Sequence, residues 1–130
     1  MSDQSAEVLA LTAAAEQVRQ ELNLAGFGSE EIAHLNRVID AQRSRLTLAE
    51  REGFLTGLGC YLGECLVRTY HGDWAAGPDG TTGVGIAGKL FFNPFYLVKE
   101  HLDKGATASV ASFFASVPWR VAGRAAAQKE

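Results

Sequence analysis

The 130-residue sequence contains few of the residues that build special sites, with two cysteines, three prolines and one methionine. Cys60 and Cys65 lie close together in one predicted helix, at a spacing that suits neither a disulfide nor a zinc site. Free apolar thiols are typical of a reducing compartment. The N-terminal segment is acidic and amphipathic, and it lacks the basic start of a signal peptide. We therefore expect a cytoplasmic protein without a bound metal or other cofactor.

The chain also lacks an excess of positive charge and a long apolar run. It has 12 Lys and Arg residues against 15 Asp and Glu residues, and this balance predicts no nucleic-acid partner. Glu64 and Arg68 interrupt the most apolar segment, so no run reaches the roughly 18 uncharged apolar residues of a membrane span. The length predicts a single domain over residues 1–130 with a core of its own.

The longest helical pattern runs from Leu48 to Tyr70, and the rest of the fold is predicted to pack around it. Thr47 and Glu50 form a capping box at its start. Its apolar residues recur at spacings of three and four, which indicates a broad helical stripe. Interior glycines each cost about 1 kcal/mol relative to alanine, so several in one helix predict that another backbone passes close by. These glycines are Gly53, Gly57, Gly59 and Gly63.

Two amphipathic helices are predicted to precede the central helix and to form an antiparallel hairpin over residues 1–46. Periodic apolar residues place the first helix at residues 4–23. Asn23 suits a left-handed helix end, and Ser29 is predicted to cap the second helix. The apolar faces of the hairpin could pack on the central helix or on a second copy of the chain, so a homodimer is an alternative.

Short strands and turn residues replace the helical pattern after Tyr70. Strands are predicted at residues 73–76, 84–87 and 89–92, which makes a small antiparallel sheet of two or three strands. Trp74 is its bulky anchor. The turn between the first two strands contains Pro78, which suits a second turn position, and Gly80, which supplies a positive φ.

Two helices are predicted to follow the sheet. Asn93 and Pro94 are the cap and first residue of one helix. Thr107 or Ser109 is predicted to cap the other, which Pro118 interrupts, although Trp119 can still pack beyond the break.

These elements together predict an α+β fold. It consists of the N-terminal helical hairpin, the buried central helix, the small antiparallel sheet and two C-terminal helices. Its α+β core spans residues 47–117, and residues 118–130 form a partly ordered tail.

The glycine-rich segment from Gly83 to Lys89 fits the strings GxxxxGK and GxGxxG, but its context excludes both nucleotide-binding motifs. A phosphate-binding loop needs Ser or Thr after the Lys, and this chain has Leu90 there. A dinucleotide site needs a parallel sheet that the pattern does not predict. The segment is interpreted as a strand of a hairpin.

Glu64 is the candidate centre of a polar site, because it is predicted to lie on a largely buried helix. Arg68, four residues on, is placed to form an ion pair with it. Buried carboxylates need a partner or stay protonated. The pair could tie the helix to a neighbour, or Glu64 could be a poised acid or a ligand-binding carboxylate in a pocket with His71 and Trp74.

The three histidines, His34, His71 and His101, are expected at helix ends or on solvent faces. His71 lies beside Asp73 and near Glu64, and such a pair could bind a metal or act as a base. No local signature of a catalytic nucleophile occurs in the sequence.

Four aromatic residues around Asn93 and Pro94 form a second candidate surface. Strand and helix periods differ, so not all four can face one core. They either complete the core or leave a remnant that binds a partner. These residues are Phe91, Phe92, Phe95 and Tyr96.

The segment from Gly59 to Arg68, GCYLGECLVR, continues with HGDW, the glycine-rich strand and NPF. With these motifs, residues 48–117 resemble uncharacterised bacterial domain-of-unknown-function families that share a YLGE…R…GG.W…P…V.K…G pattern. The resemblance implies an α+β domain of bacterial origin with the Gly-Glu pair and the Trp at its centre, and it brings no established activity. His71 stands where a glycine is common in that pattern.

The absence of a catalytic pattern, a metal spacing and a strong charge favours a non-enzymatic binding module. We expect an adaptor, regulator or immunity-like protein that acts through a protein partner or self-association. The alternative is a small-molecule-binding protein or enzyme with a pocket near Glu64, Arg68, His71 and Trp74.

Overall fold

A computed structural model describes residues 3–77, 80–88 and 90–129, and the side chains of residues 6–77, 80–88 and 90–123. Pro78 and Lys89, on which two of the sequence predictions depend, lie outside the described residues. Five α-helices, three β-strands and a short 3-10 helix make up the described part. In chain order they are α1 (Asp3–Glu21), α2 (Ser29–Gln42), α3 (Leu48–Tyr70), β1 (Asp73–Ala76), β2 (Thr82–Ile86), β3 (Leu90–Phe92), α4 (Pro94–Lys104), the 3-10 helix (Gly105–Ala108) and α5 (Val110–Lys129).

Helix α3 is the central element, as the sequence predicts. The Glu50 N–H donates to the Thr47 hydroxyl over 3.1 Å, and the Thr47 N–H donates to the Glu50 carboxylate over 3.0 Å, so the capping box is confirmed. The helix is buried along its middle turns, Leu58–Leu66, whereas Leu48 at its start is 89% exposed. His71 ends it in the left-handed conformation, with φ 57°.

The two N-terminal helices pack mainly on other elements and not on each other. Helix α1 lies against α3, and α2 lies against α5 and α4. The cap of α2 is Gly28 and not Ser29, because the Gly28 N–H donates to the Glu31 carboxylate over 2.7 Å. Asn23 has a φ of 56°, which confirms the left-handed end of the first helix. Both predicted apolar faces are therefore used inside the chain.

The sheet is a three-stranded antiparallel meander in the order β1–β2–β3. Trp74, Val84 and Phe92 are register partners across the three strands, so they share the face that packs on the helices. Phe91 lies on the opposite face. Its ring covers Gly83 of β2, where an added Cβ would approach it to 2.5 Å. Gly80 has a φ of 82°, as the turn prediction requires.

Helix α5 continues through Pro118, and the predicted interruption is wrong. A proline inside a helix removes the N–H that would bond the carbonyl four residues earlier, here that of Phe114. The Tyr70 hydroxyl donates to this carbonyl over 2.7 Å. A side chain of α3 therefore supplies the donor that Pro118 cannot, which lets the helix run on without an unpaired buried carbonyl.

The helices and sheet enclose one hydrophobic core, and the α+β class is confirmed. Within the described residues, no helix is long and apolar enough to span a membrane. The core residues come from every helix and from the inner face of the sheet. Its largest fully buried side chains include Tyr61, Phe114, Ile32, Leu35, Ile39, Leu62 and Leu66.

Candidate functional site

The structure contains the polar centre predicted on α3, and the Glu64 carboxylate at this centre bonds to other side chains of the same protein. Glu64 is only 6% exposed. One carboxylate oxygen accepts from the Trp74 indole N–H over 3.1 Å, and the other accepts from Arg68 Nε over 2.8 Å. The side chain of Arg68 is half exposed and lies over the ring of Phe27 at 4.0 Å. The predicted ion pair is confirmed, and Glu64 fixes the orientation of the indole.

At two glycines of α3, the neighbour that packs closely against the helix is an aromatic ring and not a second backbone. A Cβ on Gly63 would lie 2.1 Å from the Trp74 ring, and a Cβ on Gly59 would lie 2.3 Å from the Phe95 ring. Gly53 meets nothing within 4 Å. The prediction of a close backbone is therefore wrong at Gly59 and Gly63, where an aromatic side chain fills the space, and at Gly53, where the space is open.

His71 does not join the polar centre. It is exposed and forms the left-handed end of α3. Among the described side chains, it makes no hydrogen bond with Glu64 or Asp73. No group of three His, Cys, Asp or Glu residues in the described part of the chain could hold a metal ion. The structure thus brings Glu64, Arg68 and Trp74 together and leaves His71 at the surface.

The four aromatic residues of the second candidate surface point in different directions. Phe91 lies on the outer face of the sheet, Phe92 meets Phe113 edge-on at 4.9 Å, and Phe95 fills the space above Gly59. These three rings are half-buried. Tyr96, at 55% exposed, is the remnant that faces solvent.

A groove between α4 and α5, here called the α4–α5 groove, combines this tyrosine with a second exposed aromatic residue. It contains a cavity of about 370 Å³ lined by Tyr96 and by the apolar ring of Phe113. Trp119 is 81% exposed and follows Ser112 and Ser116 on one stripe of α5, at spacings of four and three. The polar lining of the cavity consists of Glu100, Thr107, Ser109, Ser112, Ser116 and Arg120.

Arg120 gives the α4–α5 groove a positive charge that no carboxylate neutralises within the described residues. Its Nε donates to the Ser116 hydroxyl over 2.8 Å, and the guanidinium lies 5.4 Å from the centre of the Phe113 ring. Lys104 differs, because its 2.7 Å contact with the Glu100 carboxylate neutralises it and raises the pKa of Lys104. The groove therefore presents aromatic surface beside one free cation.

His101 is the polar residue that the sequence predictions misplaced. They put it at a helix end or on a solvent face, but it is fully buried in α4. Its Nδ1 accepts from the Val110 N–H over 3.2 Å, so its Nε2 carries the proton and donates to Asp40 over 2.7 Å. Its spacing of three from the buried Val98 was a signal that it shares the inner face of α4.

This histidine belongs to the cap at the start of α5. The Ala111 N–H donates to Asn36 Oδ1 over 3.1 Å, and the Ser112 N–H donates to the Ser109 hydroxyl over 3.2 Å. The Phe113 N–H donates to the Ser109 carbonyl over 3.0 Å. The N–H groups of Val110, Ala111 and Ser112, which the helix itself leaves unpaired, are thus satisfied by side chains, and the i→i−4 ladder begins at Phe113. Ser109 is the cap, which selects one of the two predicted candidates, and the arrangement holds α5 against α2 and α4.

The two thiols are poor nucleophiles. Cys60 and Cys65 are both free and buried, and burial raises the pKa of each thiol. Cysteine nucleophiles act as thiolates. Neither residue is therefore suited to nucleophilic catalysis near neutral pH.

No protein-family model, curated protein or solved structure matches this chain. The resemblance to the domain-of-unknown-function families therefore stays a prediction. Two features of the structure are candidates for the functional site, the polar centre at Glu64 and the α4–α5 groove.

Proposed function

We propose that this protein is a non-enzymatic, cytoplasmic binding module that holds an acidic segment of a partner protein in the α4–α5 groove. The observation that carries the proposal is a cavity lined by one exposed aromatic residue, with a second exposed aromatic residue on the same stripe of α5 as two of the lining serines. Tyr96 lines the cavity on α4, and Trp119 extends the same surface along α5. Adaptor, regulatory and immunity-like roles all work through such a contact.

The residue types of the groove favour a protein partner. Trp, Tyr and Arg are the residues that most often dominate the binding energy of protein interfaces. Four large hydrophobic side chains are prominently exposed in the described part of the chain: Leu9, Leu48, Tyr96 and Trp119. Leu9 and Leu48 are single aliphatic side chains, whereas Tyr96 lines the cavity of the α4–α5 groove and Trp119 lies three positions from its lining residue Ser116. Isolated exposed apolar residues are normal, but Trp119 adjoins Arg120 in the sequence, and Arg120 lines the same cavity as Tyr96.

The charge distribution favours an acidic partner segment. Helix α5 carries three basic residues and no acidic residue. Residues 1–109 hold the other 9 of the 12 basic residues and 14 of the 15 acidic ones. A carboxylate of the partner would pair with the guanidinium of Arg120, which has free N–H groups and a geometry suited to carboxylates. Such a contact would weaken as ionic strength rises.

The alternative, a small-molecule or catalytic site at Glu64, Arg68, His71 and Trp74, has less support. Both oxygens of Glu64 already accept internal hydrogen bonds, and His71 lies at the surface. A catalytic carboxylate has to reach a substrate. The Glu64 cluster therefore has the properties of a structural hydrogen-bond network that fixes Trp74 in the core.

Site-specific photo-crosslinking in cells tests the proposal. A photoreactive phenylalanine replaces Trp119 in one variant and Tyr96 in another, and the exposed Leu48 is replaced in the control. We expect the two groove positions to crosslink to the same partner segment, and that segment to be rich in Asp and Glu. The Leu48 control should not crosslink to it.

Three results would contradict the proposal. The groove positions could yield no more product than the control, or their crosslinks could fall on segments without acidic residues. Crosslinks to a second copy of this chain, for example to its acidic helix α1, would replace the partner protein by self-association.

A further inference from the structure

A second cavity lies between α1 and the sheet. Two adjoining spaces of about 370 and 190 Å³ share Glu7, Leu11 and Thr82 in their linings. Cys60 and Phe95 also line the larger space, and Trp74 also lines the smaller one. We call these spaces together the α1–sheet pocket. None of its residues belongs to the α4–α5 groove.

The floor of the α1–sheet pocket is closely packed. Trp74 donates a hydrogen bond to Glu64 and packs against Gly63, and the ring of Phe95 packs against Gly59. The two rings lie 6.3 Å apart. Cys60 is buried, whereas Glu7 is exposed, so the pocket leads from a charged rim to an apolar floor. A preformed, mostly apolar cavity with few polar groups is the usual form of a small-molecule site.

Glu7 defines the chemistry of the rim. Its carboxylate makes no ion pair within the described residues, and no Lys or Arg lines either space. The other polar side chain of the lining is the uncharged Thr82. An ammonium group would pair with Glu7, and the aromatic floor would contact the apolar body that carries it.

We infer that the α1–sheet pocket binds a small organic ammonium ion with an aromatic or branched aliphatic body. The body enters over Trp74 and Phe95, and the ammonium group remains at Glu7. The volume of the larger space sets the size of this body, since it is near the lower end of ligand pockets in proteins. This binding is separate from the partner contact at the α4–α5 groove.

Calorimetric titration of the full chain with three probes of matched shape tests the inference. 2-Phenylethylamine is cationic near neutral pH, 2-phenylethanol is neutral, and 3-phenylpropanoate is anionic. We expect the amine to bind most tightly and the anion least. Glu7→Gln should weaken binding of the amine by up to about fivefold, the upper end of the effect of losing one exposed ion pair, and should leave the alcohol unchanged.

Matched variants complete the test. Glu52→Gln makes the same change of charge at an exposed site outside the pocket and should change nothing. Ala10→Phe fills the pocket from α1 and should abolish binding of both the amine and the alcohol.

Several results would overturn the inference. These are no binding of the amine at millimolar concentrations, equal binding of all three probes, or an equal effect of Glu7→Gln and Glu52→Gln. Trp119→Ala is expected to leave amine binding intact, and a loss of amine binding in this variant would place the site in the α4–α5 groove.

Discussion

Replacing the glycines of α3 by alanine tests how this helix is packed, because the same substitution should have opposite effects along one helix. At Gly53 the added Cβ meets nothing within 4 Å. At Gly63 it would lie 2.1 Å from the Trp74 ring, which has to move. Gly57, whose Cβ would lie 3.3 Å from Val18, is the intermediate case.

The expected magnitudes follow from the two environments. Gly53→Ala should stabilise the protein by up to about 1 kcal/mol, the difference in helix propensity. Gly63→Ala should overpack the core, which typically costs about 1–3 kcal/mol. Displacing the indole also breaks its hydrogen bond to the Glu64 carboxylate, and bonds to charged groups contribute about 1.5–3 kcal/mol. After the gain in propensity, a net loss of roughly 2–4 kcal/mol is expected.

Thermal unfolding followed by circular dichroism measures these effects. For 130 residues, an unfolding entropy of about 2.1 cal/mol/K per residue makes 1 kcal/mol equivalent to roughly 4 °C in Tm. Gly53→Ala should therefore raise Tm by up to about 4 °C and Gly63→Ala should lower it by roughly 8–15 °C. Trp74→Phe combined with Gly63→Ala should cost less than the two single changes added together. Equal Tm shifts for Gly53→Ala and Gly63→Ala would refute the claim that the Trp74 ring occupies the space beside Gly63.

Three further predictions concern buried polar groups. Tyr70→Phe should destabilise the protein by about 1–2 kcal/mol, measured by urea unfolding. The loss should be smaller in a Pro118→Ala background, because the helix then regains its own N–H donor for the Phe114 carbonyl. Equal losses in both backgrounds would contradict this prediction. His101→Phe should cost roughly 2–4 kcal/mol, because it leaves a helix N–H of α5 unpaired, whereas His34→Phe at a half-buried site should stay within about 0.5 kcal/mol. Burial raises the pKa of the Cys65 thiol, so the folded thiol stays neutral while the unfolded one ionises above about pH 8.5. The free energy of unfolding should then fall above that pH by up to about 1.4 kcal/mol per pH unit for this group, and Cys65→Ala should reduce the slope.

Local signals in the sequence predicted most of the elements. The capping box at Thr47 and the Asn93–Pro94 start of α4 are short-range patterns, and the structure contains both. The strand predictions differ from the observed bounds by two residues or fewer. The alternation of apolar spacings was enough to locate α3, since a helix of 23 residues repeats the pattern many times.

The errors arose where a tertiary contact overrides a local rule. Pro118 is a helix breaker by local rules, and only the hydroxyl of Tyr70, 48 positions away in the sequence, makes the continuous helix possible. The glycines of α3 indicated a close neighbour but not its type, because Gly63 is occupied by a side chain of β1. Local patterns hold no information about which distant group fills such a space.

The candidate site likewise has parts that follow from local sequence patterns and parts that depend on tertiary contacts. The Glu64–Arg68 pair was predictable because helix geometry sets its spacing. The α4–α5 groove was not, because it depends on how two helices approach each other. Trp119 lies off the apolar stripe of Val110, Phe114 and Val117, which are buried, and this offset was the one signal that it faces solvent.

The most direct test of the proposed function is a quantitative binding comparison with the partner segment that crosslinking identifies. A synthetic peptide of that segment is titrated into the wild-type protein, Trp119→Ala, Arg120→Glu and the exposed control Leu48→Ala. The account predicts that Trp119→Ala weakens binding at least about tenfold, since interface hot spots contribute 2 kcal/mol or more. It also predicts that Arg120→Glu weakens binding and that Leu48→Ala has no effect. Equal affinity of all four proteins would contradict the claim that the α4–α5 groove is the binding site.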